Sequence, residues 1–88
     1  MKPLNFAILK YLTTVPEACA DDVLTALKSE YGSFKAFTKQ NITTSLLTAE
    51  VNGLLEQNCF ELDSSGELKL YFRAHDEGKA AINRYISD

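Results

Sequence analysis

From Pro3 to about Thr13, apolar residues recur at helical spacing, with Leu4, Ile8 and Leu12 in line and Leu9 and Tyr11 flanking them. The stretch predicts an amphipathic helix entered through a proline, which a first turn tolerates. Thr13-Thr14-Val15-Pro16 breaks it. A second helix is expected from Pro16 or Ala20 to Tyr31, where Ala20, Val23, Leu24, Leu27 and Tyr31 form one stripe. Asp21 and Asp22 suit the positive end of its dipole, and Gly32 is its stop. Residues 33–41 hold Phe34 and Phe37 at a spacing that fits a short helical turn or an ordered loop equally well. A third helix is expected from Asn41 or Thr43 to Gln57, burying Leu47, Val51, Leu54 and Leu55, with Asn58 as a left-handed cap. On that wheel Leu46 and Glu50 sit on the flank, while Ser45, Thr48, Ala49, Asn52 and Glu56 face outward.

The period then changes to two. Phe60 and Leu62, then Leu68, Leu70 and Phe72, alternate with Glu61, Asp63, Glu67, Lys69, Tyr71 and Arg73, the pattern of a half-buried β-hairpin. Ser64-Ser65-Gly66 is its turn. With Gly66 in the left-handed position, Leu62 faces Leu68, Phe60 faces Leu70, and Glu61 faces Lys69. A short helix opening at His75 or Asp76 and carrying Ile82, Tyr85 and Ile86 completes the chain.

The expected fold class is therefore α+β, mostly α, as one domain over residues 1–88: three helices, a two-stranded hairpin and a short C-terminal helix. This order resembles the winged helix-turn-helix superfamily. Leu54-Leu55-Glu56-Gln57-Asn58-Cys59-Phe60-Glu61 is similar to the recognition-helix exit of small bacterial MarR-like and PadR-like regulators. Leu70-Tyr71-Phe72-Arg73-Ala74-His75-Asp76-Glu77-Gly78-Lys79 resembles their second wing strand running into the following helix, with Ala74 and His75 where Leu and Thr are usual and Asp76 available as a cap. The resemblance implies a DNA-binding transcriptional regulator whose third helix enters the major groove, acting as a homodimer on paired half-sites. Winged helices also serve as protein-docking modules, so fold alone does not decide between the two.

Composition narrows the function classes. A chain of 88 residues, 45% apolar and 24% charged, has the balance of a folded domain and is too short to build a cleft between lobes. Its longest apolar run, Phe6-Ala7-Ile8-Leu9, is far below a membrane span, and no secretory leader is evident; a cytoplasmic protein without a membrane partner is expected. Cys19 and Cys59 are read as reduced thiols, and with His75 the sole histidine no metal site is implied. No nucleophile–base pair, glycine-rich phosphate loop or paired-acid motif is present, so neither an enzyme nor a cofactor is expected.

The formal charge is −3, which disfavours nucleic acid as a whole-molecule field. Residues 31–49, however, contain no acid and include Lys35 and Lys39. With the resemblance, this points to Lys35, Lys39, Gln40, Asn41, Thr43, Thr44, Ser45 and Thr48 as the nucleic-acid-binding set, lysine for phosphate and amides for adenine edges. Small Ala49 and Gly53 permit close approach. The same Thr, Ser and Asn residues are also ordinary helix-start material. On the wing, Lys69 and Arg73 are the only cations among Glu61, Asp63 and Glu67, and an acidic wing repels a phosphate backbone. Tyr31, Phe34 and Phe37 suit a core or an interface anchor better than base stacking. Leu4, Tyr11, Tyr85 and Ile86 are the residues available for pairing two copies. Double-stranded DNA is thus the first expected partner and another protein the second.

Overall fold

The computed structural model describes residues 1–87. Four helices and one antiparallel hairpin follow in the order α1 (Leu4–Leu12), α2 (Ala20–Tyr31), α3 (Lys39–Val51), β1 (Glu56–Leu62), β2 (Leu68–Arg73) and α4 (Asp76–Tyr85). The architecture is α+β, about half helical.

Local chemistry sets the helix ends. Pro3 accepts the first α1 bond, from the Ala7 N–H, and the hydroxyls of Thr13 and Thr14 donate to the carbonyls of Lys10 and Tyr11 as α1 stops. At the start of α2 the Cys19 N–H donates to the Asp22 carboxylate at 3.0 Å, satisfying a donor that no helical carbonyl can reach. The undecided segment 33–38 is two successive turns, closed by Phe34 N–H to Tyr31 C=O and Phe37 N–H to Phe34 C=O. Thr38 then caps α3 by accepting from the Asn41 N–H at 3.1 Å. α4 is capped by His75, whose Nδ1 accepts from the Gly78 N–H at 3.0 Å, so the cap is His75 and not Asp76.

α3 departs from expectation at both ends and in its phase: capped by Thr38, it begins at Lys39 and not at Asn41 or Thr43. It stops at Val51, because Gly53 takes φ +80° and the Leu54 and Gly53 N–H groups donate to the Ala49 and Glu50 carbonyls, each at 3.0 Å. This doubly bonded turn ends the helix six residues before Gln57, and Asn58 has no left-handed conformation. With Leu54 and Leu55 no longer helical, the inward stripe is Ile42, Leu46 and Ala49. Leu47 is 38% exposed and Val51 85% exposed, and Ala49, expected outward, is buried.

The hairpin register agrees with the alternation: Leu62 pairs with Leu68, Glu61 with Lys69 and Phe60 with Leu70, and Gly66 in the turn has φ +83°. A bulge at Asn58 then shifts the pairing, so that Gln57 faces Phe72. On its other side β2 exchanges two hydrogen bonds of 2.9 Å with Ala18, which ties the strand to the α1–α2 connection. Burial along the hairpin differs from the expected half-buried sheet. Phe72 is 1% exposed and Leu70 half-buried, whereas Phe60, Leu62 and Leu68 are 65%, 68% and 51% exposed. The helices cover only the base of the hairpin, and its apolar face continues past them into solvent.

The core joins Ile8, Leu12, Val23, Ile42, Leu46, Leu55, Phe72 and Ile82. Of the residues expected to pair two copies, Ile86 is buried in the chain's own core, Leu4 and Tyr11 pack against it, and Tyr85 is 80% exposed. No helix among the described residues is long and apolar enough to cross a membrane.

Candidate functional site

Every side chain in the sequence-derived set lies on or just before α3, or on β2. Lys35 is exposed in the turns ahead of α3. Gln40, Thr44 and Thr48, four residues apart, line one exposed face of α3, and Leu47 and Val51 continue it toward the C-terminus. This face carries no charge of either sign. The remaining α3 residues have internal bonding roles. The Asn41 amide donates to the Ala36 carbonyl at 3.1 Å, the Thr43 hydroxyl to the Lys39 carbonyl at 2.8 Å, and the Ser45 hydroxyl to Asn5 Oδ1 at 2.8 Å.

The cations are arranged differently. Lys39, at the first turn of α3, lies 3.3 Å from Asp21 at the start of α2 and also pairs with Glu67 beside the hairpin turn. Lys69 reaches the same Asp21 at 3.4 Å, and that contact holds its ammonium above the ordinary lysine range. Arg73 pairs with Glu56 across the hairpin. Asp21 thus sits between two lysines. Lys39, Lys69 and Arg73, three of the four cations in the sequence-derived set, each face a carboxylate of the same chain.

The acids of the hairpin have their own partners. Asp63 accepts from the Ser65 hydroxyl and N–H and from the Glu67 N–H, and the Ser65 bond leads in holding its carboxyl below the usual range. Glu61 accepts from the Tyr71 hydroxyl at 3.0 Å, which raises the tyrosine pKa. Cys59 is exposed, and its thiol is pushed up by partial desolvation and then by the neighbouring Glu17 carboxylate.

Two features went unread in the sequence. One is the ion-paired cluster, whose members Asp21, Lys39 and Glu67 are too far apart in sequence for any spacing rule to join them. The other is the exposed apolar patch of Phe60, Leu62 and Leu68, which alternation had assigned to the core. Tyr31 and Phe34 meet edge to face at 5.1 Å, with Tyr31 buried and Phe34 43% exposed. Among the described residues no group of three or more His, Cys, Asp or Glu is placed to hold a metal ion. No protein-family model and no characterised protein sequence matches this chain.

Proposed function

We propose that this chain is a winged-helix module that works by docking another protein. The winged-helix reading is supported by the element order and by the isolated Ala18–Phe72 bridge that ties the α1–α2 connection to the hairpin. The docking reading rests on one observation: Lys39, Lys69 and Arg73 are paired with Asp21, Glu67 and Glu56. Binding a phosphate through these cations would first require breaking the pairs and would leave the carboxylates facing the DNA backbone, which erodes the counterion-release gain that drives such binding. The exposed apolar end of the hairpin is the kind of surface that marks a protein contact.

A second reading keeps the dimeric DNA-binding regulator, which contacts DNA through α3. It is favoured by Gln40, Thr44 and Thr48 standing together on an exposed face beside the acid-free turns that hold Lys35, groups suited to phosphate oxygens and adenine edges. Fluorescence anisotropy with a random duplex at low salt separates the two. Docking predicts no salt-dependent association. Tight association, with Lys39→Ala flattening the log K against log salt slope by about one unit, overturns docking in favour of the α3 reading.

A further inference from the structure

The free edge of β1 has a defined geometry. Asp63 N–H donates to the Glu67 carbonyl at 3.0 Å, closing the end of the ladder. Because hydrogen-bonded and non-bonded pairs alternate in an antiparallel ladder, Glu61–Lys69 is a bonded pair, whereas Phe60–Leu70 and Leu62–Leu68 are not. Phe60 and Leu62 therefore turn their N–H and C=O groups away from β2. Nothing among the described residues pairs with that edge: β1 ladders only with β2, and every one of its residues is exposed.

The two faces beside this edge differ in chemistry. Phe60 and Leu62 share the apolar face with Leu68. Glu61 lies on the opposite face, and the bulge at Asn58 brings Glu56 onto that face too. β1 carries these two carboxylates and no cation. Lys69, directly across from Glu61, has its ammonium turned to Asp21.

We infer that the β1 edge takes up an extended segment of a partner protein in which apolar residues alternate with Lys or Arg. The added strand satisfies the outward backbone groups of Phe60 and Leu62, lays its apolar residues beside theirs, and sets its cations against Glu61. A second copy of this chain is a poor occupant, since its own β1 brings the same carboxylates to the seam, and bulges and charges of this kind guard edge strands against self-pairing. The inference rests on the docking reading and specifies its partner.

The test uses the full chain and a fluorescent peptide of about nine residues alternating Val and Lys, within the usual length of a strand. The comparison probes are a peptide of the same composition rearranged to helical spacing, and a random duplex. The alternating peptide is expected to bind saturably and to weaken with salt. Leu62→Pro removes an outward N–H and the Leu62 side chain together, neither of which the β1–β2 hydrogen bonds use, so it should weaken binding about ten-fold or more while leaving that ladder and the circular dichroism intact. Glu61→Gln, which keeps an acceptor for Tyr71, should lower affinity several-fold and flatten the salt dependence. If the helically spaced peptide binds as well, the strand-edge inference falls and docking stands. If neither peptide binds and the duplex does, both fall. Absence of all binding, or a micromolar dimer dissociated by Leu62→Pro, also overturns the inference, the latter by making a second copy the occupant.

Discussion

Gly78, in the first turn of α4, lies so close to the Leu54 carbonyl that a β-carbon on it would stand 2.0 Å from that oxygen. The contact joins α4 to the segment that links α3 with the hairpin, and it exists only because the residue has no side chain. Gly78→Ala must push backbone apart, and it should cost about 3 kcal/mol or more, the upper part of the overpacking range. Gly53→Ala meets nothing within 4 Å but must hold φ +80°. Its cost is the left-handed penalty alone, about 1–2 kcal/mol. Urea unfolding of the two variants should rank them in that order, and equal midpoints would show that the α4 contact is looser than described.

Phe72 and Phe60, neighbours on one apolar sheet face, have opposite environments. Phe72 is 1% exposed and Phe60 65% exposed. Truncating Phe72 to Ala should cost about 3–5 kcal/mol, whereas Phe60→Ala should stay near 1 kcal/mol or below. The phase of α3 is open to the same comparison. Leu46→Ala should be costly and Val51→Ala close to neutral, since Leu46 is 0% and Val51 85% exposed. The reverse order in denaturation would restore the longer helix expected from the spacing of Leu47, Val51, Leu54 and Leu55.

What was legible in the sequence was what neighbours in sequence decide. The hairpin register follows from alternation and one glycine, so Leu62–Leu68, Phe60–Leu70 and Glu61–Lys69 pair as the pattern requires. The pattern overextends α3 because Leu54 and Leu55 continue its apolar count, although Gly53 between them and the helix takes the conformation that ends it. How far the core extends along the hairpin was not legible, because that depends on how much of it the helices cover. The partners of Lys39 were likewise set by topology: α2 and the hairpin turn arrive at α3 from distant parts of the chain, and no local pattern records their meeting.

The hairpin turn should show a sign-defined pH response. Asp63 is held below the usual carboxylate range chiefly by the Ser65 hydroxyl. A depressed carboxyl pKa in the folded state means that its contribution to stability is present above the unfolded pKa and is lost as the pH falls through the folded one. NMR titration of the Asp63 side chain should give a midpoint below that of a free aspartate. Ser65→Ala removes the leading hydrogen bond and should move the midpoint upward, leaving the backbone donors of Ser65 and Glu67 in place. An unchanged midpoint would mean that the lysines nearby, Lys69 and Lys39, and not the hydroxyl, hold the charge.

The exposed thiol should react at a rate that exposure alone does not give. Cys19 is buried and Cys59 exposed, so alkylation is expected at Cys59 first. Yet the reactive form is the thiolate, and at Cys59 it is disfavoured by partial desolvation and by the Glu17 carboxylate, with Glu61 adding to the effect. Cys59 should therefore alkylate more slowly at neutral pH than a free thiol of the same accessibility, and its rate should keep rising with pH beyond the ordinary thiol midpoint. Glu17→Gln removes the nearest negative charge while keeping a hydrogen-bonding side chain, and it should raise the neutral-pH rate severalfold and shift the profile toward lower pH. Following iodoacetamide uptake by mass spectrometry measures both. A rate insensitive to Glu17→Gln would place the Glu17 carboxylate away from Cys59 in solution, and with it the contact to Asn58 that ties the α1–α2 connection to the bulge.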